Sequence, residues 1–376
     1  MKNIGICIIA YNRLHSLKRV LGTLEKAYYP QYVDLNISID KSNTDIVEKY
    51  AMAYHWKYGK KNVIVHQRNL GLRKHVLSCG ELLEAYDALI VLEDDISVAP
   101  SFFCYALNCV EKYADVDEIG GISLYNFPLV YHNSRPFIPL KTDSDVYLMK
   151  CAQSWGQVWM KKQWNAFKKW YDENNAEFGD APHLPHSICS WAENSWLKYH
   201  MRYCIESGKY FVYPYISLST NNGDAGEHVR NFSTLFQAPM LYGLQKVFKL
   251  NPTIRYDGFF ENEKLHEALG VDESECCIDF YGEKDNRERR RYWLTTSSQP
   301  YKLVTSYGLV LKPYELNVLY QVKGNDLFLY DTTVVSEKKT ISNLNRLIIY
   351  LYSYDLSYKN LSLIHISEPT RPEPIS

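Results

Sequence analysis

Three consecutive carboxylates, Glu93, Asp94 and Asp95, are the residues of this 376-residue chain whose spacing points most directly to chemistry. They follow the apolar run ALIVL at residues 88–92, and a second apolar stretch, ISVAPSFF, comes directly after them. Adjacent carboxylates repel each other and resist the loss of water, so they are tolerated where they face solvent or a cation. Carboxylate oxygens are the ligands that Mg²⁺ and Mn²⁺ prefer. The triplet therefore predicts a site for Mn²⁺ or Mg²⁺, with a solvated strand end as the alternative.

The elements that would hold this triplet alternate between strand and helix over the first 125 residues. Short apolar runs predict strands at residues 4–9, 34–40, 62–66, 88–92 and 118–124. Apolar residues at helical spacing predict helices at residues 14–27, 43–58, 72–86 and 101–114. This alternation is typical of a parallel sheet covered by helices on both sides. The predicted fold class is α/β, a Rossmann-like, mostly parallel sheet flanked by helices, with a mixed C-terminal extension.

Other polar residues are predicted to lie at the same edge of the sheet. In such folds ligands bind at the carboxyl ends of the strands, where Tyr11, Arg13 and Asp40 follow the first two predicted strands. Asp40 could accept a hydrogen bond from a nucleobase, or it could be an ordinary turn residue. Arg13 and Arg73 could donate to a diphosphate, or they could be surface charges.

Tryptophans are concentrated in the second part of the chain, beginning with the segment SWGQVWMKKQW. Aromatic residues at helical spacing usually belong to a core, and we assign Trp159 and Trp164 to it. Trp155 and Gly156 are predicted to line a sugar pocket instead, since glycine lets a ligand approach the backbone.

A general base is expected among the acids of this second part. Glu193 lies between two tryptophans, where apolar neighbours would raise its pKa toward the working pH, although a helix-start acid is an equally good interpretation. Asp224 is the runner-up, in the glycine-containing loop NNGDAGEH. That loop could close over a substrate and supply His228 to a metal or a diphosphate, or it could be a surface turn.

Composition limits the classes of partner. The net charge of −1, from 42 basic and 43 acidic residues, leaves no basic footprint for nucleic acid. Nine cysteines without a CxxC pair argue against a zinc site or a disulfide framework and favour the cytoplasm. The N-terminus is predicted to be a strand rather than a signal peptide, and no stretch is apolar enough to span a membrane. The run RERRR at residues 287–291 is either a solvated face or a site for an anionic acceptor or lipid headgroup, so peripheral contact with the inner membrane face stays open.

Several motifs resemble GT-A-fold glycosyltransferases and occur in the same order. They are IIAYNR, SID, NLGLRKH, LEDDISVAPSFF, SWGQVW and NSW…YPYISLSTNNGDAGEH, within residues 1–235. The central block is similar to the N-acetylglucosaminyltransferase I type of enzyme, and the later stretch to glycosyltransferases of bacterial capsule and O-antigen clusters. The resemblance implies that Asp95 binds the metal, that Glu93 and Asp94 face the donor sugar, that Asp40 reads uracil, and that Glu193 lies near the base. The chain departs from the eukaryotic members, which have two adjacent acids before a tryptophan.

The predicted function is the metal-dependent, inverting transfer of a hexose or N-acetylhexosamine from a UDP-linked donor to a hydroxyl of a glycan or lipid-linked acceptor, in bacterial surface polysaccharide synthesis. A sugar-1-phosphate nucleotidylyltransferase is one alternative, although AYNRLHSL lacks the glycine-rich loop expected for it. A non-catalytic nucleotide-sugar-binding module is the other.

The predicted domains are a GT-A domain at residues 1–250, divided into a nucleotide-sugar half to about residue 125 and an acceptor half at 126–250, and an accessory region at 251–340. A helix is predicted within 341–362. The segment at 363–376 resembles a translated sequencing adapter and is predicted to be a non-native tail.

Overall fold

The computed structural model describes residues 2–224 and 233–337, which form three β-sheets and the helices around them. The strands are β1 (Ile4–Ala10), β2 (Leu35–Ile39), β3 (Lys61–Val65), β4 (Ala88–Glu93), β5 (Ile96–Val98), β6 (Ile119–Ser123), β7 (Val146–Met149), β8 (Gln157–Met160), β9 (Tyr210–Pro214), β10 (Ser219–Asn221), β11 (Arg255–Tyr256), β12 (Cys276–Asp279), β13 (Tyr292–Thr295), β14 (Tyr301–Tyr307) and β15 (Leu327–Val335). The α-helices are α1 (Leu14–Glu25), α2 (Ile46–Ala53), α3 (Leu72–Cys79), α4 (Phe102–Tyr113), α5 (Lys161–Asn174), α6 (His186–Ser190), α7 (Trp196–Glu206), α8 (Leu265–Leu269) and α9 (Glu315–Leu319). The predictions for His228, for a helix within 341–362 and for the tail at 363–376 lie outside these residues.

The largest sheet has nine strands in the order β11-β7-β9-β6-β8-β4-β1-β2-β3. Strands β4, β1, β2 and β3 are parallel neighbours, as are β6 with β9 and β7 with β11. Strand β8 runs antiparallel to β4 and β6, and β7 runs antiparallel to β9. The prediction of an α/β fold with a mostly parallel sheet is confirmed.

Helices cover both faces of this sheet, because successive side chains of each strand point to opposite sides. In β1, Ile6 and Ile8 belong to a core that includes buried residues of α1, α2 and α4. Cys7 and Ile9 belong to the other core, which includes residues of α3, α5 and α7. Every residue of β1 is buried, which explains its continuous apolar run.

A small second sheet brings a distant part of the chain to the acidic triplet. Strand β5, directly after the triplet, pairs antiparallel with β10. The backbone N–H of Asn222 donates to the carbonyl oxygen of Asp95 at 2.8 Å, and its side-chain amide donates to the same oxygen at 2.7 Å. This pairing places Asp224 beside residues that are 130 positions earlier in the chain.

The third sheet, in the order β12-β13-β15-β14, lies in the region predicted as accessory. The central sheet takes its edge strand β11 from beyond residue 250, the predicted boundary. Hydrogen bonds join residues before this boundary to residues beyond it: the Arg135 guanidinium donates to the carbonyl of Phe280 at 2.8 Å, and the side-chain amide of Asn133 donates to the carbonyl of Tyr281 at 2.8 Å.

Candidate active site

Strands β1, β2 and β4 end at the same level and open onto one cavity. The N–H of Asp94 donates to the carbonyl of Ile9 at 3.1 Å, and the N–H of Asp40 donates to the carbonyl of Ala10 at 3.0 Å. The cavity above this edge has a volume of about 520 Å³. The residues predicted for the site that line it are Tyr11, Arg13, Asp40, Glu93, Asp94, Asp95, Trp155 and Asp224.

Arg13 neutralises part of the acidic triplet. Its guanidinium donates to Asp94 Oδ1 and, at 3.1 Å, to Asp95 Oδ2. The remaining oxygens, Asp94 Oδ2 and Asp95 Oδ1, are buried and have no hydrogen-bond partner. A buried carboxylate oxygen without a partner raises the free energy of the folded protein. Each of these two oxygens can therefore still accept a hydrogen bond or bind a cation.

The chemistry of this pair fits a hard divalent cation. Within the described ranges, no group of three or more His, Cys, Asp or Glu side chains is arranged to hold a metal. Mg²⁺ is usually held by one or two carboxylates together with substrate phosphates and water, rather than by a cage of protein ligands. Asp94 and Asp95 therefore suit an ion that arrives with a phosphorylated ligand.

The triplet lies in an environment that disfavours three negative charges. Burial raises the pKa of Glu93 to about 8, and the charges of Asp95 and Asp94 add to this effect. Burial also raises the pKa of Asp94 to about 6, although the charge of Arg13 opposes it, and it raises the pKa of Asp95. Burial alone would lower the pKa of Arg13, but the charges of Asp94 and Asp95 raise it.

Asp224 reaches the cavity from the end of β10 and is anchored to α1. Its Oδ2 accepts from Ser16 Oγ at 2.6 Å and from the guanidinium of Arg19. Burial would raise the pKa of Asp224, but these two hydrogen bonds hold it below its ordinary value. Ser16 and Arg19 were not predicted as site residues; their spacing of three on a helix that begins at the sheet edge is the available signal.

Asp40 is buried at the edge of the cavity and is heavily occupied by the protein itself. Its carboxylate accepts from the N–H groups of Lys41 at 2.8 Å, of Leu70 at 2.8 Å and of Gly71 at 3.0 Å. These bonds fix the loop that leads into α3. The turn interpretation of Asp40 therefore has direct structural support, whereas its predicted role with uracil stays a prediction.

Arg73 connects α3 with α5 and with the loop before α7. Its guanidinium donates to Tyr171 Oη at 2.7 Å and, at 3.0 Å each, to the carbonyls of Glu193 and Asn175. It also lies over the ring of Tyr199, 4.2 Å from the centroid. Arg73 joins α3 to α5 and α7 and is not among the described residues that line the cavity, so its role at a diphosphate stays a prediction without support from the lining.

Gly156 is required by the fold rather than by a ligand. Its φ of +102° is unfavourable for other residues, and a Cβ would lie 2.8 Å from Ser219 Oγ. It is buried, so its predicted place in the pocket lining is wrong. Trp155 does line the cavity, and the assignment of Trp159 and Trp164 to the core is confirmed by their parallel stacking at 3.8 Å.

Glu193 is not shielded in the way the sequence suggested. The residue is exposed, and it precedes α7 in a loop whose neighbours Ala192 and Ser195 line the cavity. Ser195 is the N-cap of α7, and its side chain accepts from the N–H of Lys198. The prediction that the neighbouring tryptophans shield Glu193 from water is therefore wrong, although a catalytic role for Glu193 stays a prediction.

The cavity has an aromatic side that sequence reasoning only partly anticipated. We call it the aromatic wall; its members are Phe127, Tyr131, Trp155, Trp191 and Trp196. Phe127 and Tyr131 come from a loop without apolar periodicity, so no sequence signal identified them.

The arginine run at residues 287–291 is largely committed to the protein's own acids and carbonyls. Arg287 donates to Asp180 at 3.0 Å, Arg290 pairs with Glu288 at 2.6 Å, and Arg291 pairs with Asp331 at 3.4 Å. These contacts favour a structural role for the run. Among the described helices, none has the length and apolar character needed to cross a bilayer.

Comparisons with known proteins give structural similarity at low identity. No family model and no curated protein matches the chain. It is similar to TarS 1–349 of S. aureus in complex with UDP-GlcNAc (14% identity, 61% of this chain and 60% of that one, TM-score 0.42). It is also similar to the mannosyltransferase PcManGT of Pyrobaculum calidifontis with GDP-Man and Mn²⁺ (10% identity, 57% and 55%, TM-score 0.36) and to GalNAc-T7 with UDP, GalNAc and Mn²⁺ (14%, 57% and 43%, TM-score 0.39). The chain covers less than two thirds of the length of each of these proteins.

Proposed function

We propose that the protein is a glycosyltransferase of the GT-A type that moves a hexose or N-acetylhexosamine from a UDP-linked donor to an acceptor hydroxyl, with inversion. The observation that carries the proposal is the buried pair Asp94 and Asp95 at the carboxyl end of β4. Each has an unpartnered carboxylate oxygen, and both residues line a cavity large enough for a nucleotide sugar. We place the reaction in bacterial surface polysaccharide synthesis, as the motif resemblance implies.

The residues of the site divide the work of such a transfer. A divalent cation, when bound, would neutralise the donor diphosphate and make it a better leaving group. Asp94 and Asp95 would hold that cation. Arg13, once its carboxylate partners bind the ion, would be free to donate to a phosphate oxygen. Trp155 would position the transferred sugar beside the triplet.

The base is better placed at Asp224 than at Glu193. A general base must first lie within reach of the proton that it removes. Asp224 lines the cavity, and it lies close enough to Asp94 and Asp95 for their charges to interact. Glu193 is exposed at the rim and would need the loop before α7 to move inward.

The proposal is tested by measuring UDP binding by calorimetry with Mn²⁺ and with EDTA. We expect wild type to bind UDP more than about tenfold more tightly with Mn²⁺, and Asp95→Asn to lose that difference because one ligand oxygen becomes a neutral amide. Asp115→Asn, an exposed acid far from the triplet in sequence, is the matched control. Equal UDP affinity in all four conditions of wild type and Asp95→Asn would refute the metal site.

Turnover separates the enzyme from its alternatives. Slow release of free sugar from a UDP-sugar, stimulated by Mn²⁺, is the expected activity. Release of pyrophosphate from UTP and a sugar phosphate would show a nucleotidylyltransferase instead. Donor binding without turnover in the presence of acceptors would show a binding module.

A further inference from the structure

The two ends of the cavity differ in charge. Its charged lining residues, within the part of the chain that the structure describes, are Arg13, Asp40, Glu93, Asp94, Asp95 and Asp224. All of them lie at the sheet edge or on the segment paired with β5. The lining contributed by residues 127–201 contains no Asp, Glu, Lys or Arg, and it includes all five residues of the aromatic wall.

Four of the five rings of the aromatic wall form a chain of contacts. Tyr131 lies 5.5 Å from Trp191 and 5.9 Å from Phe127, and Phe127 lies 5.9 Å from Trp155, between ring centroids. The hydroxyl of Tyr131 is fixed by Met201 Sδ at 3.8 Å. Tyr131, Trp155 and Trp191 are only half-buried, so part of each ring is left for a ligand. The wall is therefore a preformed surface rather than a closed core.

The wall also adjoins the acidic end directly. Ser154, the residue before Trp155, interacts with the carboxyl group of Glu93 and lowers its pKa slightly against the larger effect of burial. Both Ser154 and Trp155 line the cavity. A group that packs on the wall would therefore lie next to a sugar held at the triplet.

The chemistry of the wall selects among acceptors. A pyranose ring presents C–H groups on its faces and hydroxyls around its rim, so one face can pack on an aromatic ring while the rim stays hydrated. A phosphate or carboxylate in the same position would lose water without gaining a cationic partner, at a high cost in free energy.

We propose that the aromatic wall, apart from Trp155 at its donor end, is the acceptor subsite and that it takes a neutral pyranose of a glycan, not a phosphate-bearing group. This inference rests on the proposed glycosyltransferase function and specifies its second substrate. It also places the acceptor away from the arginine run at residues 287–291. Arg287 and Arg290 of that run line a different cavity of about 220 Å³ and are paired with acids.

The test measures binding of small probes to protein saturated with UDP and Mn²⁺, by saturation-transfer NMR and calorimetry. The neutral probes are the methyl β-pyranosides of glucose, galactose and N-acetylglucosamine, and the anionic probe is glucose 1-phosphate. The variant is Trp191→Ala, whose half-buried ring can be removed without opening the core. Trp170→Ala is the matched control, because Trp170 is also half-buried but packs on Tyr203 and Arg202 of α7.

We expect at least one neutral glycoside to bind, and Trp191→Ala to weaken that binding by about tenfold while the UDP affinity stays unchanged. Trp170→Ala should bind the glycoside like wild type. Binding of glucose 1-phosphate in preference to every glycoside, or equal glycoside affinity in the two tryptophan variants, would overturn the inference. So would the absence of glycoside binding in a protein that binds UDP, and that result would leave the proposed function standing.

Failure of the proposed function gives a different pattern. If UDP does not bind under any condition, the glycosyltransferase proposal fails. The glycoside titration without nucleotide then still decides whether the wall binds carbohydrate: loss of binding in Trp191→Ala alone supports it, and equal behaviour of the two variants refutes it.

Discussion

At the scale of single residues, Arg13 is the built-in counter-charge of the acidic pair. It contacts both Asp94 and Asp95 and holds the place that a divalent cation would share. Arg13→Gln should therefore lower the melting temperature in EDTA, because the two buried carboxylates lose the cation that pairs with them among the described residues, and Mn²⁺ should restore much of the loss. The same variant should bind Mn²⁺ more tightly than wild type when no nucleotide is present, as measured by electron paramagnetic resonance.

Arg68→Gln is the control for this prediction, since Arg68 is exposed on the loop before α3. It should change neither the melting temperature nor Mn²⁺ binding. An Arg13→Gln protein that is as stable as wild type in EDTA, with unchanged Mn²⁺ affinity, would show that Arg13 does not compensate the pair.

The two candidate bases can be ranked by kinetics. Asp224→Asn should lower kcat by about 10²–10⁴, the usual effect of losing a general base, whereas Glu193→Gln should change kcat much less. UDP affinity is measured in parallel, because Asp224 lies close enough to Asp94 and Asp95 for their charges to interact. A large loss of kcat in Glu193→Gln, with near-normal kcat in Asp224→Asn, would show that Glu193 is the general base.

The sequence predicted those site residues that lie directly after a strand. A buried strand has a continuous apolar run, so its end is visible in the sequence, and Asp94, Asp95 and Arg13 were located this way. The contacts of Arg73 could not be predicted, because helical spacing does not say which neighbours each face of α3 meets. Gly156 was misread because a positive φ and a close neighbour such as Ser219 depend on tertiary contacts.

At the scale of elements, α7 carries a buried histidine without polar partners. His200 is 1% exposed, both of its ring nitrogens lack a hydrogen-bond partner, and its ring stacks on Phe167 at 4.1 Å. Burial lowers its pKa to about 3. In the unfolded chain this histidine binds a proton below about pH 6.5, whereas in the folded protein it stays neutral until about pH 3. The free energy of unfolding therefore falls as the pH drops from about 6.5 toward 3.

His200→Phe should remove this pH-dependent loss. At pH 5 the loss attributable to His200 is about 2 kcal/mol, so the gain in unfolding free energy from the substitution should grow by about that amount between pH 7 and pH 5. Denaturant unfolding at both pH values measures it. His55→Phe, at an exposed position, is the control, and His200→Leu separates a true electrostatic gain from overpacking. A gain that does not depend on pH would contradict the prediction.

Element boundaries were predictable where periodicity was local and not where pairing was distant. The bounds of β1, β2 and β4 agree with their apolar runs to within a residue. The pairing of β5 with β10 joins segments far apart in sequence, and no local pattern encodes it. Because that pairing brings Asp224 to the triplet, the sequence could identify Asp224 as a candidate but could not predict its position next to Asp94 and Asp95.

At the scale of the whole molecule, the two larger sheets share one hydrophobic core. Phe137, which precedes residue 250, belongs to the same cluster as Tyr256, Phe260, Phe280 and Tyr281, which follow it. This cluster also extends to Tyr131 and so to the aromatic wall. The core of the third sheet is therefore continuous with the residues that pack against the aromatic wall.

A final prediction compares two fragments of the chain. A chain that ends at Leu250, the predicted domain boundary, should lack a cooperative unfolding transition, whereas a chain that ends at Glu337 should unfold cooperatively. The shorter chain loses β11 and the rings of Tyr256, Phe260 and Tyr281 that pack on Phe137. It also loses the bond from Arg135 to the carbonyl of Phe280 at 2.8 Å, while the buried aromatic surface of the first part becomes exposed.

Calorimetry and near-ultraviolet circular dichroism of both fragments measure this difference, with UDP and Mn²⁺ added in a second series. Ligand stabilises only a folded site, so it should raise the melting temperature of the longer chain alone. A shorter chain with the same melting temperature as the longer one would show that residues 1–250 form an independent domain. The polar contacts between the two sheets would then be those of a docked accessory unit, and the acceptor side would not depend on it.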